Sequence, residues 1–403
     1  MKKLSVVLAV VVIAGLLLTA CGAAPTAAPT QAPAKAAEPT KAPEPTKAPE
    51  PTKAPEPTKA PEPTKAPEPT KAPEPTKAPE PTKAAEPTKA PTPTVPPMKC
   101  DKLPNVPTVK AGELGSPEKP IVITFVPSGD TGKITKAGNA IAECLSKMTG
   151  LSFKIEVGTS FGASIEAMGA NKAQVGFLNT FSVLLARAKY EIVPALAVLR
   201  KYNTNAIDPD KALGGQLQPF YKGQFIAKKD SGIKTFADLK GKTFCFVDPN
   251  STSGYIIPNI ILKANGINPD KDFKAVQNAG SHNNVAIAVY KGDCDAGVTY
   301  IDVLTDAAAN LKEKYPDIAD KVVAFAVTDK IPSDGVQFVK TLDPAIQAAV
   351  TEGLLAMAKD PGGNATLRGL YTIDGFQKID ATFYDEFAAV LKKAGVDPAT
   401  LVK

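Results

Sequence analysis

A chain of 403 residues is too long for one ordinary domain, and its 39 prolines, concentrated up to Pro97, are too many for two packed ones, so a long non-globular stretch precedes the fold. With 43% hydrophobic residues overall, the remainder can bury a core, which excludes disorder throughout. Formal charge is +6, from 47 basic and 41 acidic residues; without Lys2 and Lys3 it is 45 against 41, or +4, and this spread-out charge with 6% aromatics speaks against a nucleic-acid partner.

In chain order, Lys2 and Lys3 precede the apolar run Leu4 to Leu18. At about 15 residues it is shorter than the roughly 20 needed to span a bilayer, and it reads as an export signal over residues 1–20. The following Leu18-Thr19-Ala20-Cys21-Gly22 resembles the bacterial lipobox, which implies cleavage before Cys21 and acylation of its thiol. An acylated Cys21 anchors the mature protein on the outer face of the cytoplasmic membrane; the alternative is a chance Cys in an ordinary signal peptide. Residues 21–98 then form a linker. From Lys41 to Thr82 the hexad Lys-Ala-Pro-Glu-Pro-Thr repeats seven times without error. Two prolines per repeat exclude helix and sheet and leave polyproline II, whose rise gives Gly22 to Pro97 a contour of about 230 Å at full extension. A spacer is the simpler reading; a ligand for a proline-binding module is the other.

Setting Cys21 aside leaves Cys100, Cys144, Cys245 and Cys294, an even set with three possible pairings in an oxidising compartment. None has CxxC spacing, so no metal site is expected. Cys245 and Cys294 fall in the same lobe, which favours that pair and leaves Cys100 with Cys144; buried free thiols are the alternative.

Beyond the linker, strand and helix alternate. Strands are expected at Ile121 to Val126, Phe153 to Val157 and Val175 to Leu178, with helices over Ala137 to Met148, Ser164 to Ala170 and Phe181 to Lys189. After a crossing strand at Gln224 to Lys228 the pattern restarts with strands Thr243 to Val247, Lys274 to Val276 and Ala296 to Thr299, and helices Gly254 to Asn265 and Asn283 to Lys291. The strand Val322 to Val327 and the helices Pro344 to Lys359 and Phe383 to Ala394 are expected to return to the first lobe. The expected fold is α/β, with two lobes, each a mainly parallel sheet flanked by helices: residues 119–223, 224–325, and 326–403 back on the first lobe. Ligands of such sheets sit at the carboxyl ends of strands, here in the cleft.

Chemistry concentrates in Asp248-Pro249-Asn250-Ser251-Thr252-Ser253-Gly254, between a strand and a helix. Hydroxyls and free N–H groups at a helix start suit an oxyanion, although a plain Ser/Thr cap would need one of them. His282, the one histidine, occupies another strand-end loop; a lone His is more often structural. Tyr300 and Asp302, past the strand from Ala296, complete the candidates of this lobe.

The runs Ser231-Gly232-Ile233, Asp238-Leu239-Lys240-Gly241-Lys242, Asp248 to Pro258, Gly280-Ser281-His282 and Gly292-Asp293-Cys294-Asp295-Ala296 resemble the phosphate/phosphite/phosphonate-binding proteins of ABC importers, a PhnD-like group with a two-lobed type II periplasmic-binding fold. The resemblance implies that Ser251, Thr252, Ser253 and His282 grip a phosphorus oxyanion. In the first lobe it implies Ser128, Thr159, Ser160 and Thr180 across the cleft, with Phe161 standing where the family often has a Tyr. The implied partners are a small oxyanion, an ABC permease and its ATPase, and the membrane through the lipid. The protein is expected to be a monomer with no cofactor.

Two other functional classes compete on the residues. An enzyme needs an activated nucleophile or a metal site, and one His with no GxSxG leaves little for it. A same-fold protein for another small anion or organic ligand is the second. The expected site consists mostly of neutral donors, which select by hydrogen-bond geometry rather than bulk charge.

Overall fold

The computed structural model describes residues 95–306 and 309–401; the export run, Cys21 and the hexad stalk lie outside the described residues. β1 (Ile121–Phe125) is buried throughout, as a strand covered by helices on both faces must be. It feeds a turn in which the Asp130 carboxylate accepts from the Lys133 amide. That cap starts α1 (Thr131–Thr149) well before the expected Ala137, and Gly150 at φ +74° stops it. β2 (Phe153–Val157), α2 (Phe161–Gly169), β3 (Val175–Leu178) and α3 (Thr180–Tyr190) follow, and β1 pairs in parallel with both β2 and β3. β4 (Val193–Lys201) is hidden in the sequence because Pro194 argues against a strand; it is tolerated where the register slips between the opposing Val336 and Gln337.

The chain crosses through β5 (Leu217–Gln218) and β6 (Phe220–Tyr221) into β7 (Gly223–Lys228). β8 (Thr243–Phe246), α4 (Ile257–Ala264), α5 (Pro269–Asp272), β9 (Ala275–Asn278), α6 (His282–Lys291), β10 (Ala296–Tyr300), α7 (Leu311–Lys314), α8 (Ile318–Lys321) and β11 (Val322–Val327) build the second lobe. Its strand order is β11-β7-β10-β8-β9. Val322 to Val327 does not return to the first lobe as its sequence position suggested. Val322 lies opposite Lys228 and Val327 opposite Gln224, and Phe325 packs on Phe225 with ring centroids 5.9 Å apart, so antiparallel pairing with β7 keeps this strand in the second sheet.

The return begins at β12 (Ile331–Pro332), which pairs with β6 as a short antiparallel ribbon between the lobes. β13 (Gly335–Phe338) inserts between β3 and β4, α9 (Pro344–Lys359) and α10 (Pro361–Tyr371) pack on α1, and β14 (Gly375–Lys378) and α11 (Asp385–Lys393) close the first lobe, whose strand order is β14-β4-β13-β3-β1-β2. The two-lobed α/β architecture is thus present. Its sheets are mixed rather than mainly parallel, because the crossing strands re-enter antiparallel to their neighbours. Behind the ribbon, the buried Lys222 ammonium pairs with Asp208 at 2.9 Å and Asp210 at 2.7 Å.

Cys100 is bridged to Cys144 of α1, and Cys245 of β8 to Cys294 just before β10. The second bridge spans 49 residues of chain, for which lost loop entropy in the unfolded state corresponds to about 4 kcal/mol at most. Cys245→Ala/Cys294→Ala is expected to lower unfolding free energy by about 2–4 kcal/mol in urea titrations. An unchanged midpoint would show that the bridge adds nothing to stability.

Candidate functional site

Five strand-end segments converge on one cavity of about 60 Å³ between the sheets. Ser128 follows β1, Arg200 lies at the end of β4, Ser251 and Ser253 follow β8, His282 follows β9, and Tyr300 with Asp302 closes β10; Asp334 and Tyr371 complete the first-lobe wall. The turn after β8 is wound by its own polar groups: the Asp248 carboxylate accepts from the Asn250 amide at 2.8 Å, and the Asp248 carbonyl from the Ser251 amide at 2.8 Å. Gly254 lets it press onto the strand, since a Cβ there would lie 2.4 Å from a Val247 methyl carbon. Ser251 Oγ accepts from the Gly254 amide at 3.2 Å, while Ile256 N–H reaches back to the Ser251 carbonyl at 3.0 Å, a wide i→i+5 turn ahead of α4. With the Gly254 N–H taken by this cap, the remaining first-turn N–H groups and the dipole of the helical start favour an anion.

His282 is held by backbone. The Tyr300 amide donates to Nδ1 at 3.1 Å, so the ring carries its proton on Nε2, which stands 3.5 Å from Ser251 Oγ. Burial first, and then the Arg200 charge, pull its pKa down to about 3. The imidazole is therefore a neutral donor at any physiological pH, not a cation. The His282 amide also donates across the cleft to the Ser128 carbonyl at 3.1 Å.

Arg200 changes the character expected of the site. Its Nη2 lies 3.3 Å from Asp334. Burial is the largest influence and opposes the charge, but the attractions of Asp334, Tyr221, Asp302 and Tyr300 together outweigh it and keep the guanidinium charged. Among the described residues, Arg200 Nε and the second Asp334 oxygen are buried without a hydrogen-bond partner. Asp302 accepts from Asn203 at 2.6 Å; burial, and then Asp306, push its pKa up to about 6. Burial likewise raises Asp334, against the pull of Arg200. The site thus joins a full positive charge and neutral donors to two carboxylate acceptors, and is not built of neutral donors alone. Arg200 is one of three arginines in the chain and ends an apolar run, a signal that could have marked it; nothing local marks Asp334 or Tyr371.

Other sequence candidates are placed elsewhere. Thr180 is fully buried and donates to the Pro332 carbonyl at 2.6 Å. Ser160 caps α2 by accepting from the Ala163 amide at 3.1 Å. Thr159 is exposed and lines a wider neighbouring groove of about 530 Å³ with Lys314 and Tyr315. Thr252 does not line the cavity; its hydroxyl is taken by the first lobe. Phe161 lines the cavity with its ring in place of a hydroxyl.

A family described as "ABC transporter, phosphonate, periplasmic substrate-binding protein" matches residues 123–384. A phosphate-import protein of Mycolicibacterium smegmatis is 29% identical over 200 residues, covering 48% of this chain and 58% of the relative. A phosphonates-binding periplasmic protein of Escherichia coli is 25% identical over 233 residues, covering 56% and 62%. The chain therefore spans about three fifths of the length of these curated relatives. Among solved structures, a binding-protein component of an ABC phosphonate transporter from Pseudomonas aeruginosa superposes with a TM-score of 0.58 at 20% identity, over 68% of this chain and 87% of that one. That likeness concerns the fold.

Proposed function

We propose a function on one premise: the chain belongs to the periplasmic substrate-binding proteins of phosphonate ABC transporters. It captures a small phosphorus oxyanion, a phosphonate, phosphate or phosphite, between its lobes and delivers it to a permease driven by an ATPase. The observation that carries this reading is the convergence of Ser251, Ser253, the His282 Nε2–H and the Arg200 guanidinium on one small cavity. The names of the relatives, one for phosphate import and one for phosphonate binding, support the ligand class. Asp302 and Asp334 favour an anion that still carries a proton to donate, because a carboxylate can only accept. A P–OH group meets that demand; sulfate, fully ionised at neutral pH, does not.

Calorimetry of the full-length protein against phosphate, phosphite, methylphosphonate, aminoethylphosphonate and sulfate tests the reading. At least one phosphorus oxyanion is expected to bind and sulfate to fail. Ser251→Ala is expected to weaken binding roughly 10- to 150-fold, the worth of one charge-assisted hydrogen bond. Loss of stability with affinity held within a factor of about two would reduce Ser251 to a helix cap.

The protein works on the outer face of the membrane, held by an acylated Cys21 at the foot of the proline-rich spacer. The apolar run and the Leu18-Thr19-Ala20-Cys21 spacing support this. Cys21→Ser is expected to leave the detergent phase in partitioning assays. Unchanged partitioning, with no acyl mass on the wild type, contradicts the anchor.

A further inference from the structure

α3 is preceded by its N-cap Asn179, whose side chain makes no cap bond to the helix. First-turn N–H groups nonetheless need an acceptor. Here it comes from the other lobe: the Phe181 N–H donates to Thr252 Oγ1 at 2.9 Å. The Asn179 side-chain amide donates to the same oxygen at 2.9 Å and to the Asn250 carbonyl at 2.9 Å. Thr252 is 1% exposed, so water does not compete in this arrangement. Its neighbours Ser251 and Ser253 line the cavity while it does not.

We propose that Thr252 is a positioning residue, a latch that caps α3 of the first lobe from the second and couples the state of the Ser251 to Ser253 turn to closure of the cleft. Its side chain stands outside the cavity lining. The coupling needs no long path, since the anion-facing hydroxyls and the latch hydroxyl are consecutive residues on one turn. Parting the lobes removes both donors from Oγ1 and returns the Phe181 amide and the Asn179 side chain to water. A ligand that orders the turn holds Oγ1 in place, which adds to the preference for the closed state given by its contacts with both lobes. The role in ligand retention rests on the cleft being the ligand site; the trans cap itself does not.

The test compares full-length wild type, Thr252→Val, Thr252→Ser and Ser251→Ala. Hydrogen exchange at the Phe181 amide and stopped-flow dissociation of phosphate and methylphosphonate are followed. Valine keeps the shape and removes the acceptor, so Thr252→Val is expected to expose the Phe181 amide and to speed dissociation about tenfold. Association should change by less than about threefold. Serine restores both readouts, and Ser251→Ala weakens binding while the anion-free Phe181 amide stays as in wild type. The latch is overturned if Thr252→Val leaves Phe181 as protected as Thr252→Ser does, or leaves dissociation unchanged. If neither anion binds the wild type, the assigned ligand class fails by itself; the exchange difference between valine and serine still supports the cap when present and overturns it when absent.

Discussion

Arg200→Met is expected to weaken phosphate and phosphonate binding by about 100-fold or more. Methionine keeps most of the side-chain stem, so the loss is of charge and donors rather than of packing. Removing one partner of a buried ion pair costs about 3–5 kcal/mol when desolvation is complete, and the half-buried state of Arg200 and Asp334 places this pair at the low end. The carboxylates of Asp302 and Asp334 would then face an incoming anion without compensation. Melting temperature should fall as well, which makes the second variant informative. Arg200→Met/Asp334→Asn removes the orphaned charge and is expected to recover stability but not affinity. A double variant that recovers both, or a single one that binds within about fivefold of wild type, would assign Arg200 to structure and not to ligand capture.

His282→Ala is expected to weaken binding roughly 10- to 150-fold, and by the same factor throughout pH 5 to 8. A histidine gripping the anion as a cation would instead matter more in acid. The flat profile follows from the Tyr300 amide on Nδ1 and from the pKa of about 3, which leave a neutral Nε2–H donor across that range. Stability carries the complementary signature. The folded pKa of His282 lies below its model-peptide value of 6.5, so the unfolded chain takes up the proton first. Stability present above pH 6.5 is lost as pH falls towards 3, by up to about 1.4 kcal/mol per pH unit. Asp302 acts with the opposite sign: its folded pKa of about 6 exceeds the ordinary 3.8, so its contribution is full in acid and is lost as pH rises through 6. Chemical denaturation of wild type, His282→Ala and Asp302→Asn from pH 4 to 8 separates the two. If His282→Ala loses stability in acid as steeply as wild type, the histidine is not held neutral.

The parts legible in the chain are those whose cause is local. β1 declares itself through a short β-branched run, β2 through alternating apolar residues and β3 through a short apolar run, α1 through its apolar spacing and its stop at Gly150, and the Asp248 to Gly254 turn through three consecutive hydroxyls between a strand and a helix. Each depends on neighbours within a few residues, and so does the presentation of Ser251, Ser253 and His282 at strand ends. Tertiary structure decided what depends on pairing over long separations. Val322–Val327 has the composition of a strand for either lobe, and only its register with β7 assigns it to the second. β4 looks broken at Pro194 until β13 supplies a slipped register, and with that strand comes Arg200, whose partner Asp334 arrives from the far end of the lobe-to-lobe return. Within the hydroxyl triplet itself, composition is silent on direction: Ser251 and Ser253 line the cavity, whereas Thr252 is claimed by Asn179 and Phe181. Which way a hydroxyl points is set by the donor packed nearest to it, and that donor belongs to a helix some 70 residues away in the chain.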